Sequence, residues 1–191
     1  LIQTIHESPV TLCLAETGSG KTTVVPAALL SEFSGSIYLV QPRRAAAKLV
    51  CARISAHNEA ARIGFQVRGE KQISPSTRLT VMTTGILLQR LRHDPLLEEN
   101  GRVDVVIIDE MHERSWQQDV SYGILREIQE IRPELRILIL SATLDPTPFT
   151  QQSPADVAIH RSEGRCYAVD IRYRPCLSLG EELKHSSEIV Q

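Results

Sequence analysis

The stretch Ala15-Glu16-Thr17-Gly18-Ser19-Gly20-Lys21-Thr22-Thr23 constrains the fold of this chain more than any other. It joins a short apolar run, Val10–Ala15, to a helix-like stretch, Lys21–Ser31. A strand that turns through glycines into a helix opening on Lys-Thr has the form of a phosphate-binding loop. Gly18 and Gly20 reach backbone conformations, and allow a close approach, that a β-carbon would obstruct. Consecutive N–H groups at the helix N-terminus then cradle an anion. Thr17, Gly18, Ser19, Gly20, Lys21, Thr22 and Thr23 are the residues expected to line it. Lys21 brings a mobile positive charge to the outer phosphates, and the Thr22 hydroxyl is the expected Mg2+ ligand. Ala15 stands where the full pattern begins with Gly, and a small residue still fits there. The competing reading is a Gly/Ser-rich turn that happens to precede Lys-Thr. The strand and helix on either side weigh against it.

The rest of the chain supplies a fold for such a loop. Short apolar runs at Val10–Ala15, Ser36–Gln41, Arg78–Thr83, Val103–Asp109, Leu135–Ser141, Val157–Ile159 and Tyr167–Tyr173 read as strands. Several are continuous rather than alternating, as in Val105-Val106-Ile107-Ile108, which fits strands covered by helices on both faces. Helical patterns at Lys21–Ser31, Ala45–Asn58, Gly85–Asp94 and Trp116–Ile131 lie between them. In the last, Val120, Ile124, Leu125, Ile128 and Ile131 recur at a spacing that suits one buried face, and Pro133 stops the helix. Strand–helix alternation predicts an α/β domain with a mostly parallel sheet. Asp145–Pro154 reads as a loop. The 191 residues divide into one domain, 1–175, and a linker or tail, 176–191, where patterning fades. The chain starts at Leu1 rather than Met, which suits an excised piece.

Composition narrows the functional classes. A net charge of −2 excludes a strongly basic nucleic-acid-coating protein but allows a local basic patch. At 4% aromatic residues, a base-stacking single-strand binder is disfavoured. Cys13, Cys51, Cys166 and Cys176 form no CxxC pair. They read as buried free thiols in a reducing, cytoplasmic compartment. No apolar run has the ~20 residues a bilayer span needs, so no membrane partner is expected.

Val105–Ile108 runs straight into Asp109-Glu110-Met111-His112. Ligands of open parallel sheets bind beyond the carboxyl ends of strands. There Asp109 can hold Mg2+ opposite Thr22, and Glu110 can orient the attacking water. Asp-Glu alone would be read as a solvated loop, and the upstream phosphate loop reverses that.

Together, Ala15–Thr23, Asp109–His112 and Ser141-Ala142-Thr143 resemble motifs I, II and III of superfamily 2 helicases. Asp-Glu-x-His followed by Glu113-Arg114-Ser115 resembles the DEAH-box branch of ATP-dependent RNA helicases. Val67-Arg68-Gly69-Glu70, Ser162-Glu163-Gly164-Arg165 and Val169–Tyr173 look most like its bacterial HrpB group. The resemblance covers roughly residues 7–175. It implies a RecA-like domain that binds ATP and Mg2+, with Lys21, Asp109, Glu110 and His112 as catalytic residues. Gln41-Pro42-Arg43-Arg44 and Thr83-Thr84-Gly85 match the branch's nucleic-acid motifs. Arg43, Arg44, Thr83 and Gly85 are thus implied contacts to single-stranded RNA, with DNA as a possible substrate. By themselves, the arginines would read as a solvated pair and Thr83-Gly85 as a strand-to-helix turn. Arg53 is implied to stack on the adenine, and Ser141, Thr143 and His112 to couple nucleotide state to domain movement. Two departures stand out. Met111 replaces the Ala of the branch, with a side chain expected to pack. Thr84 replaces a usual acidic residue.

The resemblance also implies a second RecA-like domain that supplies arginine fingers of the Gln-x-x-Gly-Arg-x-Gly-Arg type. No such run occurs in these 191 residues, so this chain reads as the first motor domain, nearly inactive alone. Two other readings remain open at this level: a different P-loop NTPase switch, and a non-catalytic nucleotide-binding domain.

Overall fold

The computed structural model describes residues 1–16, 18–57, 62–99, 101–151 and 154–162. Among them are eight strands: β1 (Val10–Ala15), β2 (Ser36–Gln41), β3 (Ile63–Val67), β4 (Glu70–Gln72), β5 (Leu79–Thr83), β6 (Val103–Ile108), β7 (Arg136–Ser141) and β8 (Val157–Ser162). Six α-helices accompany them: α1 (Ile2–Glu7), α2 (Lys21–Glu32), α3 (Arg44–His57), α4 (Thr84–His93), α5 (Trp116–Ile131) and α6 (Thr147–Thr150). The strands form one sheet in the order β4-β3-β5-β2-β6-β7-β1-β8. Every pairing is parallel except the antiparallel β3–β4 hairpin at the edge.

Alternation along each strand divides the core in two. On β6, Val105 and Ile107 face Leu29 of α2 and Ala47, Cys51 and Ile54 of α3. Val106 and Ile108 face Ile86, Leu87 and Leu91 of α4, Leu125 and Ile128 of α5 and Phe149 of α6. Continuous apolar strands are therefore buried on both faces, as the sequence predicted. Cys13 and Cys51 are buried free thiols, and burial pushes both above the ordinary thiol value. Among the described residues no helix is long and apolar enough to cross a membrane.

The parallel arrangement brings the carboxyl ends of β1, β7, β6, β2 and β5 to one edge. The chain leaves β1, passes over β7 and β6, and returns as β2. The later strands then fill the gap beside the phosphate loop.

Several expectations change. The buried face of α5 is the predicted one only in part: Leu125 and Ile128 are buried, but Val120 and Ile131 are exposed, at 45% and 69%. The buried stripe is Gln118, Ser121, Leu125, Ile128 and Gln129. Its glutamines are buried because backbone carbonyls beneath them need donors; Gln129 Nε2 donates to Pro9 O at 2.8 Å and to Leu135 O at 2.7 Å. Apolar spacing could not foresee that. The α1, β3, β4 and α6 elements were not predicted, being short or polar. The predicted helix Ala45–Asn58 is α3, shifted by one residue at its start, and Asn58 lies outside the described residues. So do the predicted strand Tyr167–Tyr173, the 176–191 tail, Thr17, Cys166 and Cys176.

Candidate functional site

Gly18 and Gly20 both take φ of +82°, the left-handed region. A β-carbon on Gly18 would meet open space, so the backbone conformation is what favours glycine there. Gly20 caps α2 in this conformation, and its carbonyl accepts from Thr23 and Val24 N–H. The first turn of a helix leaves N–H groups without helical acceptors, and those of Lys21 and Thr22 open on the loop. Lys21 is buried, and among the described residues its ammonium donates one hydrogen bond, to Glu16 O at 3.2 Å. Ser19 and Gly18 are exposed on the loop.

The loop is tied to the tip of β6. Thr22 Oγ1 donates to Asp109 Oδ2 at 2.8 Å, across 87 residues of sequence. Gln41 Nε2, at the end of β2, donates to the same oxygen at 2.7 Å. The other carboxylate oxygen accepts from Glu110 N at 2.9 Å. Asp109 is 1% exposed. A hydroxyl and a carboxylate oxygen so close are hard donors of the kind Mg2+ takes. The loop amides and the Lys21 ammonium fit a polyphosphate.

Glu110 adopts φ 54° and ψ 38°, uncommon for a residue with a side chain. Its Oε2 is buried without a hydrogen-bond partner among the described residues, 3.3 Å from His112 Nδ1 in unfavourable alignment. His112 Nδ1 also lies 3.3 Å from Ser141 Oγ, at the tip of β7. The fold therefore brings together Lys21, Thr22, Asp109, Glu110, His112 and Ser141. Thr143 lies just beyond, exposed. Met111 is fully buried, packing as expected.

The nucleic-acid candidates sit farther along the same edge. Arg43 is exposed and pairs with Glu113 at 3.1 Å, beside the Asp109–His112 turn. Arg44 lies 3.3 Å from Glu70, which Lys48 also binds at 2.6 Å. The Lys48 hydrogen bond and charge, with Arg44 adding, hold the Glu70 carboxyl below its ordinary value. Thr83 is the residue before α4 but its side chain makes no capping bond, and Gly85 is exposed with open space above it. Arg53 is exposed on α3, and no side-chain contact among the described residues ties it to the phosphate loop. Thr84 is buried, with its hydroxyl unpartnered among the described residues.

Two residues escaped the sequence reading. Gln41 opens the Gln41-Pro42-Arg43-Arg44 run, and the structure sets it on Asp109. Gln118 is wholly buried and donates to the carbonyls of Asp109 at 3.2 Å and Glu110 at 3.3 Å. Its signal was the Ser115-x-x-Gln118 pattern of a helix capping box.

The profile of the DEAD/DEAH box helicase family matches residues 1–150. The chain belongs to that family. ATP-dependent RNA helicase HrpA of Escherichia coli K12 is 37% identical over 188 residues, 95% of this chain and 14% of the relative. ATP-dependent RNA helicase HrpB of the same organism is 38% identical over 182 residues, 92% of this chain and 22% of the relative. The chain thus spans less than a quarter of either. Among solved structures, that of the E. coli DExH-box NTPase HrpB is similar at a TM-score of 0.80 and 33% identity, covering 100% of this chain and 24% of the other. A second, of the Escherichia coli DEAH/RHA helicase HrpB, gives 0.83 and 34%, covering 99% and 25%. The expected RecA-like α/β fold and the expected family are both borne out.

Proposed function

We propose that this chain is the first RecA-like, ATP-binding half of an ATP-dependent RNA helicase, cytoplasmic and of the HrpB kind. Its ATP site would lie between it and a second RecA-like domain. The observation that carries the reading is the Thr22–Asp109 hydrogen bond at 2.8 Å, which joins phosphate loop and acidic strand tip in one site. The relatives' names, their greater length and the buried free thiols support it further.

In this reading, the loop amides and Lys21 bind the phosphates, while Arg53 stacks on the adenine. Thr22 and Asp109 would hold Mg2+, which when bound neutralises charge between the phosphates. Glu110 accepts the proton of the attacking water; its partly exposed carboxylate stands at the tip of β6 as the acceptor for it. His112, Ser141 and Thr143 relay the nucleotide state to the partner domain. Arg43, Arg44, Thr83 and Gly85 bind the backbone of single-stranded RNA, or of DNA. Such contacts position the strand without reading its sequence.

The test is Glu110→Gln in the full-length protein. ATP affinity should stay within a few-fold while single-turnover hydrolysis falls by roughly 10²-fold, the scale of a lost general base. Hydrolysis near the wild-type rate would remove Glu110 from that role. Loss of ATP binding would move Glu110 to the metal site. A wild-type protein without RNA-stimulated ATPase activity would overturn the helicase reading itself.

A further inference from the structure

Gln118 has no exposed surface, yet it is polar at both ends and every end is used. Its amide nitrogen has two hydrogens, and two carbonyls receive them: Asp109 O at 3.2 Å and Glu110 O at 3.3 Å. Its amide oxygen accepts from Ser115 N at 3.1 Å and Ser115 Oγ at 2.9 Å. Its own N–H donates to Ser115 Oγ at 3.3 Å, completing a capping box at the start of α5. One side chain therefore bolts the first turn of a sixteen-residue helix to the backbone of Asp109 and Glu110.

The backbone it grips needs holding. Glu110 and Arg114 are both left-handed, at φ 54° and 47°, on either side of the short 3-10 turn Met111–Glu113. Non-glycine residues persist in that region only when their surroundings over-determine them. In this turn two successive carbonyls, those of Asp109 and Glu110, face α5, and the one Gln118 amide serves both. An ordinary capping box requires nothing of its Gln beyond reaching the N-cap; the amide nitrogen here does a second job.

We propose that Gln118 is a positioning residue for ATP hydrolysis, holding the Asp109–Glu110 backbone in the left-handed turn from which Glu110 acts. The inference rests on the reading of Glu110 as the general base. Gln118 is wholly buried and acts only through that turn.

The test uses three variants of the full-length protein. Gln118→Leu keeps bulk and removes both donors. It should lower kcat by at least tenfold while KM for ATP stays within about threefold. Gln118→Glu keeps the oxygen that caps Ser115 but carries at most one donor, so at least one of the two carbonyls loses its partner. It too should lower kcat, by at least about threefold, with KM for ATP within about threefold of wild type. Ser115→Ala weakens the helix cap but leaves the amide on both carbonyls. It should lower Tm with kcat within about threefold of wild type. Wild-type kcat in Gln118→Leu or in Gln118→Glu would overturn the proposal. So would losses of kcat that track Tm across all three variants. If Gln118→Leu does not fold, Gln118→Glu and Ser115→Ala still decide. If the wild-type protein hydrolyses no ATP, the general-base reading fails instead, and the two failures are distinct.

Discussion

Asp109→Ala offers a thermodynamic test of how the site is assembled, independent of any ligand. The Asp109 carboxylate is 1% exposed and accepts from Thr22 Oγ1, Gln41 Nε2 and Glu110 N at 2.8, 2.7 and 2.9 Å. Alanine removes all three acceptor positions. The half-buried Thr22 hydroxyl can turn to water. The Gln41 amide and the Glu110 N–H are left behind, at about 1–3 kcal/mol for each buried donor without a partner. Relief of a buried charge offsets part of this sum. The net loss is about 2–4 kcal/mol, or a fall in Tm of roughly 5–15 °C at 2–4 °C per kcal/mol for a domain of this size. Asp109→Asn should cost much less. Its amide can donate to Thr22 and to a turned-over Gln41 while its oxygen still accepts from Glu110 N. Thermal and urea unfolding without nucleotide measure both variants. Equal stability of Asp109→Ala and wild type, or Asn as damaging as Ala, would refute the argument that this carboxylate ties the tips of β2 and β6 to the start of α2.

Two further predictions concern the charged residues at the edge of the sheet. Arg43→Ala should weaken single-stranded RNA binding and reduce the slope of log affinity against log salt by ~0.7, the value of one phosphate contact. Folding should be unchanged, because its exposed pair with Glu113 is worth at most about 1 kcal/mol; anisotropy titrations at several salt concentrations would show an unaltered slope if Arg43 touches no phosphate. The Glu70 carboxyl, lowered by Lys48 and Arg44, contributes stability above the ordinary glutamate value of 4.5, and this is lost as pH falls through its folded value. Glu70→Gln should therefore be less stable than wild type at pH 7, with the gap narrowing as pH falls below 4.5, and urea unfolding that shows a difference independent of pH would contradict the Lys48–Glu70–Arg44 cluster.

Much of the site was legible because its chemistry is local. Gly18, Gly20, Lys21 and Thr22 are consecutive or nearly so, and a left-handed glycine turn before a helix is specified by those residues alone. Asp109 and Glu110 follow the continuous apolar run Val105–Ile108 of β6. The side-chain period of a strand and the placement of charge at its tip are read directly from order along the chain. By the same logic the doubly covered sheet was visible in runs such as Ile137-Leu138-Ile139-Leu140, which no solvent-facing strand would carry.

What the sequence could not determine is how these segments meet. The Thr22–Asp109 bond spans 87 residues and exists only because β6 and β7 insert between β2 and β1. That strand order is a property of the whole sheet. Gln41 reaches Asp109 for the same reason: β2 pairs with β6, with Val40 opposite Ile108, so the next residues of both strands emerge side by side. The face of α5 was decided there too. Apolar spacing favoured Val120 and Ile131, but the carbonyls of Asp109, Glu110, Pro9 and Leu135 required donors, and Gln118 and Gln129 were buried to provide them. Hydrophobic period is a local quantity and is written in the residues. Which backbone groups are left wanting a partner depends on every element around them, and only the tertiary structure sets it.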